Sequence, residues 1–328
     1  MKKVVHLIPC NVVGGVEIAA KEIDYIDVAD VSFNIEYISN IERKNNIFSI
    51  YTSVRKLLAS NTDILIVSLW RSCVVGFLVK IFRKNIKLVV FLHSARSAHF
   101  IEYVLTSLAL LVATEVWSDS SESITQRMIF FKFKKTRIIS FKLQNIGVVT
   151  SGRISLNFIY WGRISREKGL DRALRIFYGI HSNHNHAKFI IVGPDSGMRP
   201  ALQEICRKLN IEDSVIFTGE LNFNGISALA KKSCFYLQTS SYEGASMSVM
   251  EAMQLGLVPI VTPVGEIKNY CKNGKNSVIV INERDSINEI LGLINSESKF
   301  QIIYNNSVNT WKSKPLYADS ILAACRDI

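Results

Sequence analysis

Along the chain, short apolar runs alternate with amphipathic stretches. VVHLIP (4–9), DILIVSLW (63–70), KLVVFLH (87–93), NFIYWGR (157–163), KFIIVGP (188–194), SVIFTG (214–219), CFYLQTS (234–240) and VPIVTPV (258–264) are short, β-branched and continuous. Unbroken runs of this kind predict parallel strands covered on both faces, not half-exposed strands. Between them, GLDRALRIFYGIH (169–181), RPALQEICRKLN (199–210) and ASMSVMEAMQLG (245–256) place apolar residues at helical spacing. Strand alternating with helix predicts right-handed βαβ units in doubly wound sheets.

This order restarts near residue 150, after the basic KFKKTR and the glycine-containing NIGVVTSGR. The reading therefore divides the chain into a domain over 1–150 and a second over 151–311, with a hinge within 143–155. From about 298 the tail reads as polar until ADSILAACRD, where a helix within 312–328 is expected to pack back onto the first domain. A chain of 328 residues exceeds what one core commonly supports, in keeping with two domains. Open parallel sheets bind ligands beyond the carboxyl ends of their strands, so the cleft between the two domains is the expected site.

Composition narrows the classes. With 48% hydrophobic and 20% charged residues the chain is of the globular type. The apolar run at 4–9 is too short for a secretory signal, and the longest uncharged apolar stretch, 103–113, falls short of the roughly 18 residues that suggest a membrane span. A cytoplasmic, non-integral protein is expected. Six scattered cysteines, without CxxC pairs or zinc-type spacing, predict reduced buried thiols. The net charge is +11, of which residues 1–150 carry 19 − 12 = +7 and the remainder 20 − 16 = +4. This excess predicts anionic partners, and no nucleic-acid recognition module accompanies it. The stretches 71–87 and RMIFFKFKKTR (127–137) mix cations with apolar residues and predict peripheral docking on an anionic membrane. No strand runs into GxGxxG, which disfavours a nicotinamide dehydrogenase.

The segment with the most chemistry is EGASMSVME (243–251). Glutamates eight apart also occur at 204/212, 212/220 and 289/297, so spacing alone does not single out Glu243 and Glu251. Their setting does. A buried strand runs into Glu243, Gly244 and Ala245 permit close backbone approach, and a helix is expected to start near Ser246, with that serine as its cap. A helix N-terminus suits a phosphate or a developing anion. Glu251 then lies inside that helix, about 10 Å from Glu243 at roughly 1.5 Å per residue. Acids that far apart cannot share a proton, but they can hold two ends of an elongated polyhydroxyl ligand.

EGASMSVMEAMQLGLVPIVTPVGE resembles the E-x7-E region of retaining family 4 glycosyltransferases, and IYWGRISREKGLDRALRIF is similar to their glycine–arginine and lysine–glycine hallmark. FIIVGPD, VIFTGEL and the N-terminal VVGGVE look like further recurring segments. The resemblance implies an α/β chain of GT-B fold, two Rossmann-like doubly wound parallel-sheet domains facing across a cleft, 1–150 on the acceptor side and 151–311 binding the nucleotide-sugar donor. It implies transfer of a sugar from a UDP-, GDP- or dTDP-sugar to a hydroxyl of a saccharide acceptor, lipid-linked in surface-polysaccharide (O-antigen type) synthesis. No metal and no other cofactor are implied, since no DxD-type motif ends a strand. Residue by residue, Arg163 and Lys168 match the cations on the donor diphosphate, joined from the other domain by the loop of Gly14 and Gly15. Glu251 matches the acid on the ribose hydroxyls. Glu243 matches the acid beside the donor sugar, and His93 a histidine near the reacting centre. Gly244, Ala245, Ser246, Met247 and Ser248 match the backbone lining sugar and phosphates. The chain departs from the pattern at Ala245, where an aromatic is common, and at Glu266 and Asn269, where a glycine pair and a later glutamate are common. The competing expectations are a nucleotide-sugar epimerase of GT-B fold and a non-catalytic nucleotide-sugar-binding subunit; Glu243, Arg163 and Lys168 argue against the second.

Overall fold

The computed structural model describes residues 1–328 apart from 12–13, 25, 29, 40–45, 94–98 and 128–134. Most of the basic stretch 127–137 and the two valines of VVGGVE thus lie outside the described residues. The chain forms two compact units, Met1–Gln144 with Pro315–Ile328, and Asn145–Lys314.

The first unit is built on seven strands: β1 Lys2–Cys10, β2 Ile26–Val28, β3 Val31–Ser39, β4 Ile64–Ser68, β5 Lys87–Leu92, β6 Glu115–Ser118 and β7 Lys135–Ile138. Their order is β2-β3-β1-β4-β5-β6-β7. All pairs are parallel except β2 with β3. The second unit has six: β8 Asn157–Trp161, β9 Lys188–Val192, β10 Val215–Gly219, β11 Phe235–Gln238, β12 Val258–Val261 and β13 Val278–Ile279. These run β10-β9-β8-β11-β12-β13, all parallel.

Each predicted apolar run lies on a strand, and all but 4–9 and 214–219 are shortened by one to three residues at the carboxyl end, where the backbone turns toward a helix. β4, β6, β11 and β12 are buried throughout. β10 departs from the expectation of two covered faces: at the sheet edge it alternates, and Ile216 is 46% exposed. Five strands were not read from the sequence, namely β2, β3, β6, β7 and β13. β3 alternates VSFNIEYIS, one face buried, because the sheet edge beyond it is closed only by the short β2. β6 hides its strand character behind a buried acid: Glu115 receives Lys135 Nζ at 2.8 Å, Arg137 Nε at 2.9 Å and Trp117 Nε1 at 3.1 Å. These three donors outweigh burial and hold its carboxyl below the usual range.

The helices follow their periodicity. Leu170–His181 buries Leu170, Ala173, Leu174, Phe177 and Ile180 on one stripe. The polar tail beginning at 298 corrects the sequence reading, because Glu297–Asn309 is a helix whose Phe300, Ile303 and Ser307 form a narrow buried stripe among polar neighbours. The last helix, Tyr317–Arg326, belongs to the first unit: the Tyr317 N–H donates to the Lys142 carbonyl at 2.7 Å, its ring meets Phe141 at 5.1 Å, and Arg326 pairs with Asp30 at 2.8 Å. All six cysteines are free thiols, and all but Cys10 are buried. Among the described residues no helix is long and apolar enough to cross a membrane.

Candidate functional site

In the second unit the polar residues gather where β11 ends. The strand FYLQ is apolar except for its last residue, and Gln238, Thr239 and Ser240 continue inward-facing and buried. The Gln238 amide is used on both sides. Its oxygen accepts from Tyr236 Oη at 2.7 Å and Ser248 Oγ at 3.0 Å; its nitrogen donates to Glu243 Oε1 and Ser246 Oγ, both at 2.9 Å. Glu243 Oε1 receives two further donors, Ser240 Oγ at 2.7 Å and Lys168 Nζ at 2.7 Å, and the glutamate side chain is only 8% exposed. A carboxylate bound by an ammonium and two neutral donors is fixed in place.

Two glycines let the loops approach closely. Gly169 (φ 62°) packs against the Thr239 carbonyl, and the loops are tied further by Thr239 Oγ1 donating to the Gly169 carbonyl at 2.6 Å and Ser241 N–H to the Glu167 carbonyl at 2.8 Å. Gly265 (φ 56°) rests on the carbonyls of Glu243 and Gly244, where any Cβ would collide, while the Glu266 N–H donates to the Gly244 carbonyl at 2.9 Å. Tyr270 Oη donates to the Ala245 carbonyl at 2.9 Å. The backbone of EGA is therefore held from two sides.

The expected serine cap is corrected. Ser246 precedes helix Met247–Leu255 but sits at φ 57°, left-handed, and its hydroxyl makes no capping bond; it is engaged by Gln238 instead. The tight turn from loop to helix requires that backbone conformation, which points the side chain away from the first-turn N–H groups. Glu251, in the second turn, is half-buried and its Oε2 accepts from Trp161 Nε1 at 2.9 Å. Burial raises its pKa above the ordinary carboxylate value, only partly offset by that indole donor. Arg163 lies exposed after β8, its carbonyl accepting from Tyr160 Oη at 3.0 Å.

The structure thus brings Lys168, Glu243, Gly244, Ala245, Ser246 and Ser248 into one hydrogen-bonded group, with Met247 at the start of the helix that carries Glu251. Sequence reading missed Gln238, Ser240, Trp161, Gly265 and Tyr270. One signal was available for Gln238: a lone amide ending an otherwise apolar strand.

Gly14, Gly15 and His93 lie in the first unit. Gly14 is extended (φ −151°) and precedes the short helix Gly15–Lys21, with the Glu17 carboxylate against it. His93 follows β5 and belongs to a buried polar chain that the sequence did not reveal. Ser68 Oγ bridges His6 Nε2 at 2.7 Å and His93 Nε2 at 2.9 Å, and His93 Nδ1 faces Asp119 Oδ2 at 3.7 Å. Burial, and then the neighbouring His93, lower the His6 pKa to about 3, so His6 is neutral. One hydroxyl between two imidazoles can donate to one and accept from the other, which couples their tautomers.

Residues 155–307 match the model of the family described as Glycosyl transferases group 1. Among curated proteins the chain is 29% identical over 137 residues to an uncharacterized glycosyltransferase, MJ1607, of Methanocaldococcus jannaschii, covering 42% of this chain and 34% of that protein. It is 27% identical over 142 residues to the GDP-mannose:cellobiosyl-diphosphopolyprenol alpha-mannosyltransferase of Xanthomonas oryzae pv. oryzae, covering 43% and 36%. The chain thus spans about a third of the length of the curated relatives it matches. Among solved structures, Anabaena HepE in complex with UDP-glucose superposes with a TM-score of 0.81 over the whole of both chains at 16% identity. That likeness establishes the GT-B fold. Residues 155–307 carry a glycosyltransferase group 1 domain.

Proposed function

We propose that the chain is a retaining, metal-independent glycosyltransferase of family 4 that moves a sugar from a UDP-, GDP- or dTDP-sugar to a hydroxyl of a lipid-linked saccharide in surface-polysaccharide synthesis. The observation that carries this reading is the Lys168–Glu243 pair at 2.7 Å, set beside the helix that holds Glu251. Lys168 has three N–H donors and commits one to Glu243, which leaves two for phosphate oxygens. Arg163, exposed one loop away, adds a second cation for the diphosphate. Glu251, half-buried and already accepting one donor, takes the ribose hydroxyls, while the backbone of 244–248 lines sugar and phosphates.

In the reaction, the acceptor oxygen bonds to the anomeric carbon on the face from which the diphosphate leaves. The carbon–oxygen bond to phosphate breaks with its electron pair on the diphosphate, and a phosphate oxygen takes the acceptor's proton. Charge grows on the leaving phosphate, so Lys168, Arg163 and the N-terminus of helix Met247–Leu255 act where it develops. Glu243 holds Lys168 in place, and His93 lies near the reacting sugar.

Peripheral attachment to the cytoplasmic face of an anionic membrane completes the reading. Helix Trp70–Phe82 ends in Phe82, 71% exposed, followed by the exposed Lys84 and Lys87, and helix Phe100–Val112 begins with Phe100, 78% exposed. Exposed aromatics beside cations suit an anionic lipid surface. Failure to co-sediment with anionic vesicles at low salt would remove this attachment.

The deciding experiment is a thermal-shift panel with UDP, GDP, ADP, dTDP and NAD, followed by NMR of the product's anomeric centre. A ligand at about 100 times its Kd stabilises by roughly 2.7 kcal/mol. Stabilisation by one nucleoside diphosphate, its loss in Glu251→Ala, retention of configuration and insensitivity to chelators are expected. Stabilisation by NAD alone, or by none of the five, overturns the reading; inversion removes its retaining mechanism.

A further inference from the structure

We propose that the first unit contains a pocket for one ring of a neutral sugar, recognised by Arg127 and Glu102, and that it holds the acceptor's reacting residue. The acceptor assignment rests on the transferase reading; the sugar site itself does not. The pocket lies near the carboxyl ends of β4 and β5, among helices Trp70–Phe82, Phe100–Val112 and Ser121–Arg127, and has a volume of about 220 Å³. Sites for drug-sized ligands run from roughly 300 to 1,000 Å³, so this one suits a single ring.

Arg127 is 7% exposed, and among the described residues its Nε has no hydrogen-bond acceptor. Glu102 Oε1 lies 3.6 Å from one of its terminal nitrogens, near enough to offset charge but too far for a hydrogen bond, and the Tyr103 ring lies 5.8 Å away. A buried guanidinium with an unused N–H is costly, and it is accounted for where a ligand brings the acceptor. The carboxylate beside it decides the ligand's class. A phosphate or carboxylate could accept from Arg127 but would be repelled by Glu102. A hydroxyl accepts from the guanidinium and donates to the carboxylate, and vicinal hydroxyls on one ring can do both at once. The remaining walls are largely apolar, with Leu69, Trp70 and Leu92 among them, and suit the C–H faces of a pyranose. His93 lines the same pocket, which places a ring bound there next to the histidine assigned to the reacting centre.

The test is saturation-transfer NMR on the full chain with the methyl glycosides of glucose, mannose, galactose and N-acetylglucosamine, and with inorganic phosphate as competitor. At least one glycoside is expected to bind. Glu102→Gln and Trp70→Ala should each weaken it by about tenfold or more, as expected for losing a hydrogen bond to a charged group or an aromatic wall, with the melting temperature confirming that both variants fold. Glu251→Ala should leave it unchanged. Binding by none of the glycosides, affinity unaltered in both first-unit variants, or displacement by phosphate would overturn the proposal. A chain that binds a nucleoside diphosphate but no glycoside loses the pocket and keeps the transferase reading. One that binds a glycoside but no nucleotide keeps the sugar site and loses the transferase reading.

Discussion

The two units handle buried polar groups in opposite ways. Among the described residues, the buried side-chain atoms without a hydrogen-bond partner are His6 Nδ1, Asn34 Oδ1, Ser72 Oγ, His93 Nδ1, Asp119 Oδ1 and Arg127 Nε, all in the first unit. In the second unit the corresponding groups are connected: Gln238 uses both amide atoms, and Glu243 Oε1 takes three donors. A network already closed needs little reorganisation when its ligand arrives, which suits a site that must stabilise developing charge. A site with unused donors and acceptors carries a cost that a ligand can remove. The contrast is between a half whose polar groups are closed among themselves, as the proposed diphosphate site requires, and a half in which buried polar atoms are left unpaired.

The largest blow to this contrast would come at Lys168. Lys168→Ala is expected to lower kcat by about 10²–10³, the range for removing one preorganised donor, while the melting temperature stays close to wild type; a loss under tenfold would mean that charge stabilisation resides elsewhere. Next is the support of the EGA loop. Gly265→Ala, with φ 56° and carbonyls in the space a methyl would fill, should cost about 1–3 kcal/mol in urea unfolding and weaken nucleotide binding. An unchanged midpoint would show that the loop yields easily. In the first unit, Ser68→Ala removes the partner of both His6 and His93 and should cost about 1–3 kcal/mol. No change there would mean that the histidine chain contributes nothing to stability.

The least direct readout is a difference in slope with pH. His6 has a folded pKa of about 3 against an ordinary 6.5, because burial and then His93 oppose its charge. The unfolded chain therefore binds a proton that the folded chain refuses, and stability falls as pH drops from about 6.5 toward 3, by at most about 1.4 kcal/mol per pH unit. Glu251 has the opposite sign. Its pKa is raised by burial, the folded chain takes up the proton first, and its contribution to stability rises as pH falls through that raised value. His6→Phe should flatten the first dependence. Glu251→Gln should remove the second and raise the melting temperature at neutral pH while abolishing nucleotide binding. Parallel slopes in the two variants would contradict the assignment.

Legibility followed the same division. In the second unit the chemistry is concentrated in contiguous segments, so EGASMSVME and the arginine and lysine five positions apart could be read directly. In the first unit the polar chain draws single residues from β1, the end of β4, the turn after β5 and the turn after β6. His6, Ser68 and Asp119 carry no local signal, since each is one polar residue in or beside an apolar run. β6 and helix Glu297–Asn309 were missed for a related reason: charged residues masked segments whose burial is supported by distant partners.

By itself the sequence determined where the apolar runs lie, that all but the edge run at 214–219 are covered on both faces and so pair in parallel through helices, and which loops carry the acids and cations. These are local consequences of side-chain periodicity and loop composition. Only the tertiary structure decided that Lys168 meets Glu243 across 75 positions and that Ser246 turns left-handed instead of capping. Parallel pairing is nonlocal: neighbouring strands are joined by whole helices, so the groups brought together at their ends are set by sheet order, which no short window of sequence encodes.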